Sequence, residues 1–218
     1  AQLEPGSVVS IPLAYGDLDL AVTDPPSNVV RLYLNSDGLG TFTNGGSVST
    51  SSPYALNLGD LDGDGVADLV VGSTTGAFGT RAFLNSGAGT FGAAVPLESQ
   101  GAYGLFLTDI DLDGSLDIIR IPPSGSSTSI LRNQGDGINY TTFNRTGTGY
   151  GVGVGDIDGN GTLDLVAPDV ENSQIAISLN TGGWPGLDTR TLVDVGPGST
   201  GFGNDLGDID GDGDLDIV

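Results

Sequence analysis

Four nine-residue stretches place an oxygen-bearing side chain at positions 1, 3, 5 and 9. They are Asp60, Asp62, Asp64 and Asp68; Asp109, Asp111, Asp113 and Asp117; Asp156, Asp158, Asn160 and Asp164; and Asp208, Asp210, Asp212 and Asp216. Position 7 is Val66, Ser115, Thr162 or Asp214, where a backbone carbonyl is expected to complete the set. Oxygen donors at this spacing, with Gly where the chain turns sharply, make a cage for a hard cation, and calcium suits it. Magnesium fits less well, because it demands a near-ideal octahedron and keeps its waters.

Asp and Gly also dominate ordinary acidic turns. Four loops with matching positions say more than one. Carboxylates about 4 Å apart repel by roughly 1 kcal/mol per pair in water and about 4 kcal/mol at an effective dielectric of 20. Without a cation each loop therefore resists closing, and about four Ca²⁺ sites are expected. The loops are not EF-hands, which need a bidentate Glu at position 12 and flanking helices. Position 12 here is Val71, Arg120 or Ala167. Each complete unit instead continues into a short apolar run, such as Asp68-Leu69-Val70-Val71 or Asp164-Leu165-Val166-Ala167, that reads as a buried strand.

Composition removes whole classes of chemistry. The chain has no Cys, Met or His, and its six basic residues are all Arg. No Ser-His-Asp or Cys-His nucleophile, Schiff base, or thiolate or imidazole zinc site can be assembled from it. The formal charge of -22 is concentrated, since the four loops hold 16 of the 28 acidic residues. Four bound Ca²⁺ would bring the net charge to about -14. Nucleic acid and insertion into a membrane are disfavoured as partners, because the chain lacks basic clusters and any long apolar run. The 38 Gly and the scarcity of helix formers point to an all-β, turn-rich class. The chain opens Ala1-Gln2 without Met, as a mature end left by signal-peptide cleavage would, or as an internal boundary would. Hard-cation loops suit a calcium-rich compartment, so an extracellular location is expected.

The elements that must position these loops recur. The terminal loop Asp returns at Asp19, Asp68, Asp117, Asp164 and Asp216, at spacings of 49, 49, 47 and 52 residues, about one propeller blade. Units are expected near 14–50, 51–99, 100–146, 147–198 and a partial 199–218, after an N-terminal segment 1–13. Each unit parses into four strands. The first carries Tyr54, Leu56 and Leu58; Tyr103, Leu105 and Leu107; Tyr150, Val152 and Val154; or Phe202 and Leu206. The second is the run after the loop. The third ends at Asn35, Asn85, Asn133 or Asn180, and the fourth lies near Phe42, Phe91, Phe143 or Leu192. Small residues such as Gly104, Gly151, Gly153 and Gly155 would let the first strands crowd together.

The pattern Asp-x-Asp-Gly-Asp-Gly-x-x-Asp followed by an apolar strand resembles the FG-GAP/VCBS repeat of integrin α-subunit propellers and many extracellular bacterial and fungal proteins. The resemblance runs from about residue 14 to residue 218. It implies a β-propeller-like array of four-stranded antiparallel blades, about four and a half repeats here, with calcium in the loops between the first and second strands. Such propellers are usually seven-bladed. Three positions depart from the pattern: the first unit keeps only Gly16-Asp17-Leu18-Asp19 and is expected to bind no calcium, Leu112 replaces a Gly, and Asn160 replaces an Asp. The expected arrangements at the ends are part of a longer chain, closure of the last blade by Ser7 to Leu13, or exchange of that strand with a neighbouring copy.

Three functions are weighed. The first is a non-catalytic extracellular interaction or structural module, braced by calcium and acting in adhesion or self-assembly, with copies of itself or another extracellular protein as partner. The second is a lectin binding glycan through Trp184, with Tyr140 and Asn139 as weaker candidates. The third, and least supported, is a two-carboxylate carbohydrate-active enzyme. Glu4, Glu98 and Glu171 share no motif, and the Asp are committed to metal.

Overall fold

The computed structural model describes residues 8–11, 18–75, 78–87, 89–123, 128–145, 151–169, 172–184, 186–187, 189–196 and 203–218. Among them are four four-stranded antiparallel sheets and one two-stranded sheet, each in simple meander order. The first holds β1 (Val8–Ile11), β2 (Asp19–Asp24), β3 (Val29–Asn35) and β4 (Phe42–Ser49). The second holds β5 (Pro53–Gly59), β6 (Asp68–Ser73), β7 (Thr80–Phe83) and β8 (Val95–Glu98). The third holds β9 (Gly104–Thr108), β10 (Asp117–Ile121), β11 (Thr128–Asn133) and β12 (Tyr140–Arg145). The fourth holds β13 (Gly153–Gly155), β14 (Asp164–Asp169), β15 (Gln174–Leu179) and β16 (Thr189–Asp194), and β17 (Leu206–Gly207) pairs with β18 (Asp216–Ile217). The helical content among the described residues is one 3-10 turn, Pro25–Ser27, and no helix there is long and apolar enough to cross a membrane.

The apolar runs after the loops are continuous, rather than alternating, because each inner strand is covered on both faces. In β6, Leu69 and Val71 point into a cluster with Ala21, Val30 and Leu32 of the first sheet, while Val70 points the other way, toward Leu105, Ile118 and Leu131 of the third. The third sheet repeats the division: Ile118 faces the second sheet, and Ile119 and Ile121 face Val152, Leu165 and Ala167 of the fourth. Three buried clusters thus tie four sheets in a row.

Glycines set how closely the sheets approach. A Cβ at Gly59 of β5 would lie 2.7 Å from Leu116 and 2.9 Å from Leu107 of the next sheet, and one at Gly155 would lie 2.7 Å from Leu215. The neighbouring sheet's leucines occupy the space a side chain would take. Gly104 differs, since its Cβ would meet Ile121 of its own sheet.

Two arrangements depart from the expected parsing. β1 is the first strand of the first sheet, paired with β2 from Val8 opposite Val22 to Ile11 opposite Asp19. In the second sheet Phe91 makes an isolated bridge to Asn85, and the fourth strand starts only at Val95. Tyr150, Phe202, Glu4, Glu171, Ser7 and Pro12 to Asp17 lie outside the described residues.

Candidate metal centres

All four loops join the first strand of a sheet to the second, and all four close in the same way. The position-1 carboxylate accepts two or three backbone N–H bonds from the turn. Asp60 takes those of Gly63 and Gly65 at 2.8 and 2.9 Å, Asp109 those of Asp113 and Gly114, and Asp156 those of Asn160 and Gly161. Asp208 takes those of Gly211, Asp212 and Gly213 at 2.7, 3.1 and 3.0 Å. The turn needs positive φ at positions 4 and 6, supplied by Gly63 and Gly65, Gly159 and Gly161, and Gly211 and Gly213. In the second loop Leu112 adopts φ 60° at position 4, a left-handed conformation that costs a side chain roughly 1–2 kcal/mol.

The position-9 carboxylate buttresses the loop from beneath. Asp68, Asp117 and Asp164 are fully buried at the start of the second strand. One oxygen of each accepts from the N–H at position 2 (Leu61, Ile110, Ile157), and the other from the backbone N–H of the Asn at or just past the end of the third strand (Asn85, Asn133, Asn180), at 2.7 to 3.1 Å. Asp216 makes the first of these bonds, to Ile209 at 3.0 Å. Burial raises the pKa of Asp68 and pushes that of Asp117 up to about 7, with the neighbouring loop carboxylates adding to both. Each anion is stabilised by two N–H groups yet lies away from water beside like charges, an arrangement a cation relieves.

In every loop the position-1, position-3 and position-9 residues bring carboxylate oxygens within 4.8 Å of one another: Asp60, Asp62, Asp68; Asp109, Asp111, Asp117; Asp156, Asp158, Asp164; Asp208, Asp210, Asp216. Oxygens bound to one Ca²⁺ at 2.3–2.6 Å cannot be further than about 5 Å apart, so the spacing fits that ion. The donor set is all oxygen, and Asp111 Oδ1 is buried with no hydrogen-bond partner, as an atom reserved for a metal would be. The position-5 side chains are placed differently. Asp64, Asp113, Asn160 and Asp212 each accept from the position-7 N–H of Val66, Ser115, Thr162 and Asp214, at 2.8 to 3.0 Å.

Two features were not singled out from the sequence. The Asn133 side chain donates to the Leu61 carbonyl at 2.6 Å, and that of Asn180 to the Ile110 carbonyl at 3.3 Å, so the Asn of one sheet grips position 2 of the preceding loop. The side chains of Leu61 and Ile110 are buried there. The second feature is Arg132, whose guanidinium pairs with Asp111 and Asp113. The candidate sugar platform, Trp184, is half-buried against the third and fourth sheets, edge-on to Phe143 with ring centroids 6.4 Å apart. Tyr140 packs against the cluster between the second and third sheets, and Asn139 bonds to Asp136.

Three of these loops lie within matches to one family. The FG-GAP-like repeat family aligns with residues 16–71 and 109–167, together more than half of the chain. This chain belongs to the FG-GAP-like repeat family. Comparison with curated proteins finds no match. Among solved structures, a lectin of Agrocybe aegerita that recognises non-reducing terminal N-acetylglucosamine superposes with TM-score 0.61 at 20% identity over 98% of this chain. An exo-β-1,3-galactanase of Phanerochaete chrysosporium superposes with TM-score 0.51 at 11% identity over 91% of this chain. At such identities the likeness is one of fold. The FG-GAP-like chain spans 60% of the lectin chain and 53% of the galactanase chain.

Proposed function

We propose that this chain is a non-catalytic extracellular binding or structural module, working in adhesion or self-assembly, whose sheets are propeller blades braced by calcium. The observation that carries the reading is the fourfold recurrence of three carboxylates within 4.8 Å on the loops that join the inner strands. When bound, calcium supplies the positive charge that lets these carboxylates stay ionised and close together. The protein's own residues do the rest. The position-9 Asp links the loop to the third strand of its sheet, and Asn133 and Asn180 carry that linkage to the loop before. A rigid row of sheets then presents its outer loops to a partner.

Melting the protein with and without a calcium chelator tests the metal half, since an ion present at 100 times its Kd adds about 2.7 kcal/mol. An unchanged melting temperature removes calcium from the account. The partner half is tested by light scattering and electron microscopy of the calcium-loaded protein, where assemblies support self-association.

A second reading, glycan binding, is favoured by the fold shared with a lectin. Its test is a glycan array. Because Trp184 is packed against Phe143 and Arg132, a Trp184→Ala loss of binding counts only if the variant melts as the parent does.

A further inference from the structure

Three of the four four-stranded sheets carry Leu-Asn at or just past the end of their third strand: Leu34-Asn35, Leu84-Asn85 and Leu179-Asn180. The third sheet has Arg132-Asn133. In the second sheet Leu84 lies with Asp62 and Asp64 along a cleft of about 320 Å³. In the third sheet the same strand position sends a guanidinium to the same two loop positions. Arg132 Nε donates to Asp111 Oδ2, and its Nη2 donates to Asp113 Oδ2 at 3.0 Å. The Asp111 side chain is only 7% exposed, so this ion pair is shielded from solvent on its anionic side. The Trp184 ring holds the guanidinium in place, with Arg132 Cζ 5.9 Å from its centroid. The third loop meets a neutral group instead, the Asn180 carbonyl, which accepts from Asn160 and Thr162.

We infer that Arg132 is a built-in cation of the second loop: it neutralises positions 3 and 5, keeps that loop closed without metal, and makes it the weakest calcium site of the four. This rests on the calcium reading of the loops given above. An entering divalent ion must approach a fixed positive charge and displace or share two charge-assisted hydrogen bonds, a barrier that, among the described residues, no guanidinium raises at the other three loops. Asp111 Oδ1 keeps its lone pairs free, so affinity is lowered rather than abolished. The second loop should bind calcium at least tenfold more weakly than the others, a factor equal to about 1.4 kcal/mol.

The chain's single Trp reports on the second loop and also on the third, whose Asn160 and Thr162 bond to the Asn180 carbonyl beside the Trp184 turn, so the readout is the difference between parent and variant. Terbium replaces calcium at oxygen sites and luminesces when a nearby indole is excited, and Trp184 stands over the second loop's Arg. Terbium is titrated into metal-free parent and Arg132→Leu, the residue found at this position in the other three sheets, with excitation where tyrosine does not absorb. Calcium calorimetry runs in parallel. In the parent, Trp-sensitised emission should keep rising after the tighter sites have filled. In Arg132→Leu it should rise with the first equivalents, and calorimetry should gain one tight site. Arg132→Gln, which removes the charge but stays polar, must give the same shift if the Leu variant folds poorly. Emission that is complete in the parent once the tight sites have filled, or a titration unchanged in both variants, overturns the inference and leaves the calcium reading standing. Absence of calcium and terbium binding at every loop overturns the calcium reading and the inference with it.

Discussion

Stability should fall as pH rises through neutrality when the protein is stripped of metal, and calcium should abolish that fall. The group responsible is Asp117, fully buried beneath the second loop, with its pKa pushed up to about 7 by burial. A carboxylate whose folded pKa lies above its unfolded value favours the folded state most when protonated. That contribution is complete below the unfolded pKa, near 4, and is lost as pH climbs through about 7. Between pH 5 and pH 8 ordinary carboxylates are ionised throughout, so the loss is read almost free of them. Two pH units below 7 at about 1.36 kcal/mol each give about 2.7 kcal/mol. For a chain of this size that is a fall in melting temperature of roughly 5–11 °C. Asp68, raised for the same reason, steepens the trend. Calorimetric melts of metal-free protein at pH 5 and pH 8 measure it, repeated with excess calcium, where a bound cation holds the carboxylates ionised and the slope vanishes. Asp117→Asn should flatten the metal-free slope while lowering stability at both pH values, because one amide face meets a backbone N–H as donor against donor. A metal-free protein as stable at pH 8 as at pH 5, or a slope that calcium leaves intact, would refute the reasoning.

Asn133→Ala removes the donor to the Leu61 and Leu116 carbonyls and leaves buried acceptors unpaired, so chemical denaturation should show a loss of about 1–3 kcal/mol. Leu112→Gly relieves the left-handed residue of the second loop and should raise stability by up to about 1 kcal/mol in the same assay, since the gain of roughly 1–2 kcal/mol is partly offset by the entropy of Gly. Gly59→Val forces a branched side chain against Leu107 and Leu116 of the neighbouring sheet and should cost about 1–3 kcal/mol, read as a lower melting temperature.

The loops and strands were legible because their determinants are local. Alternate carboxylates, Gly at the positive-φ positions and an apolar run after position 9 all lie within a dozen residues, and the structure places each of these runs in a second strand. The fourth strand of the second sheet was less legible. It is only four residues long and carries Pro96, and Phe91, the sequence landmark, sits in a bridge ahead of it. At position 5 the sequence shows an oxygen donor by type, and the structure adds that the same side chain caps the position-7 N–H. Close approach between sheets was legible in Gly153 and Gly155, where a Cβ would meet Leu206 and Leu215 of the next repeat, but the specific partners across sheets were not. Asn133 reaches Leu61 across 72 residues, and nothing in an Asn at a strand end specifies that partner. Arg132 did leave a signal, as the one Arg where the other sheets place Leu, but its meaning needs the loop geometry.

The central claim is that divalent cations sit among the clustered aspartates. Crystals grown with calcium and measured for its anomalous scattering test this most directly. The account predicts a peak in the first, third and fourth loops, about 2.3–2.6 Å from the oxygens of Asp60, Asp62 and Asp68 and their equivalents. Loops that hold only water at saturating calcium would contradict it.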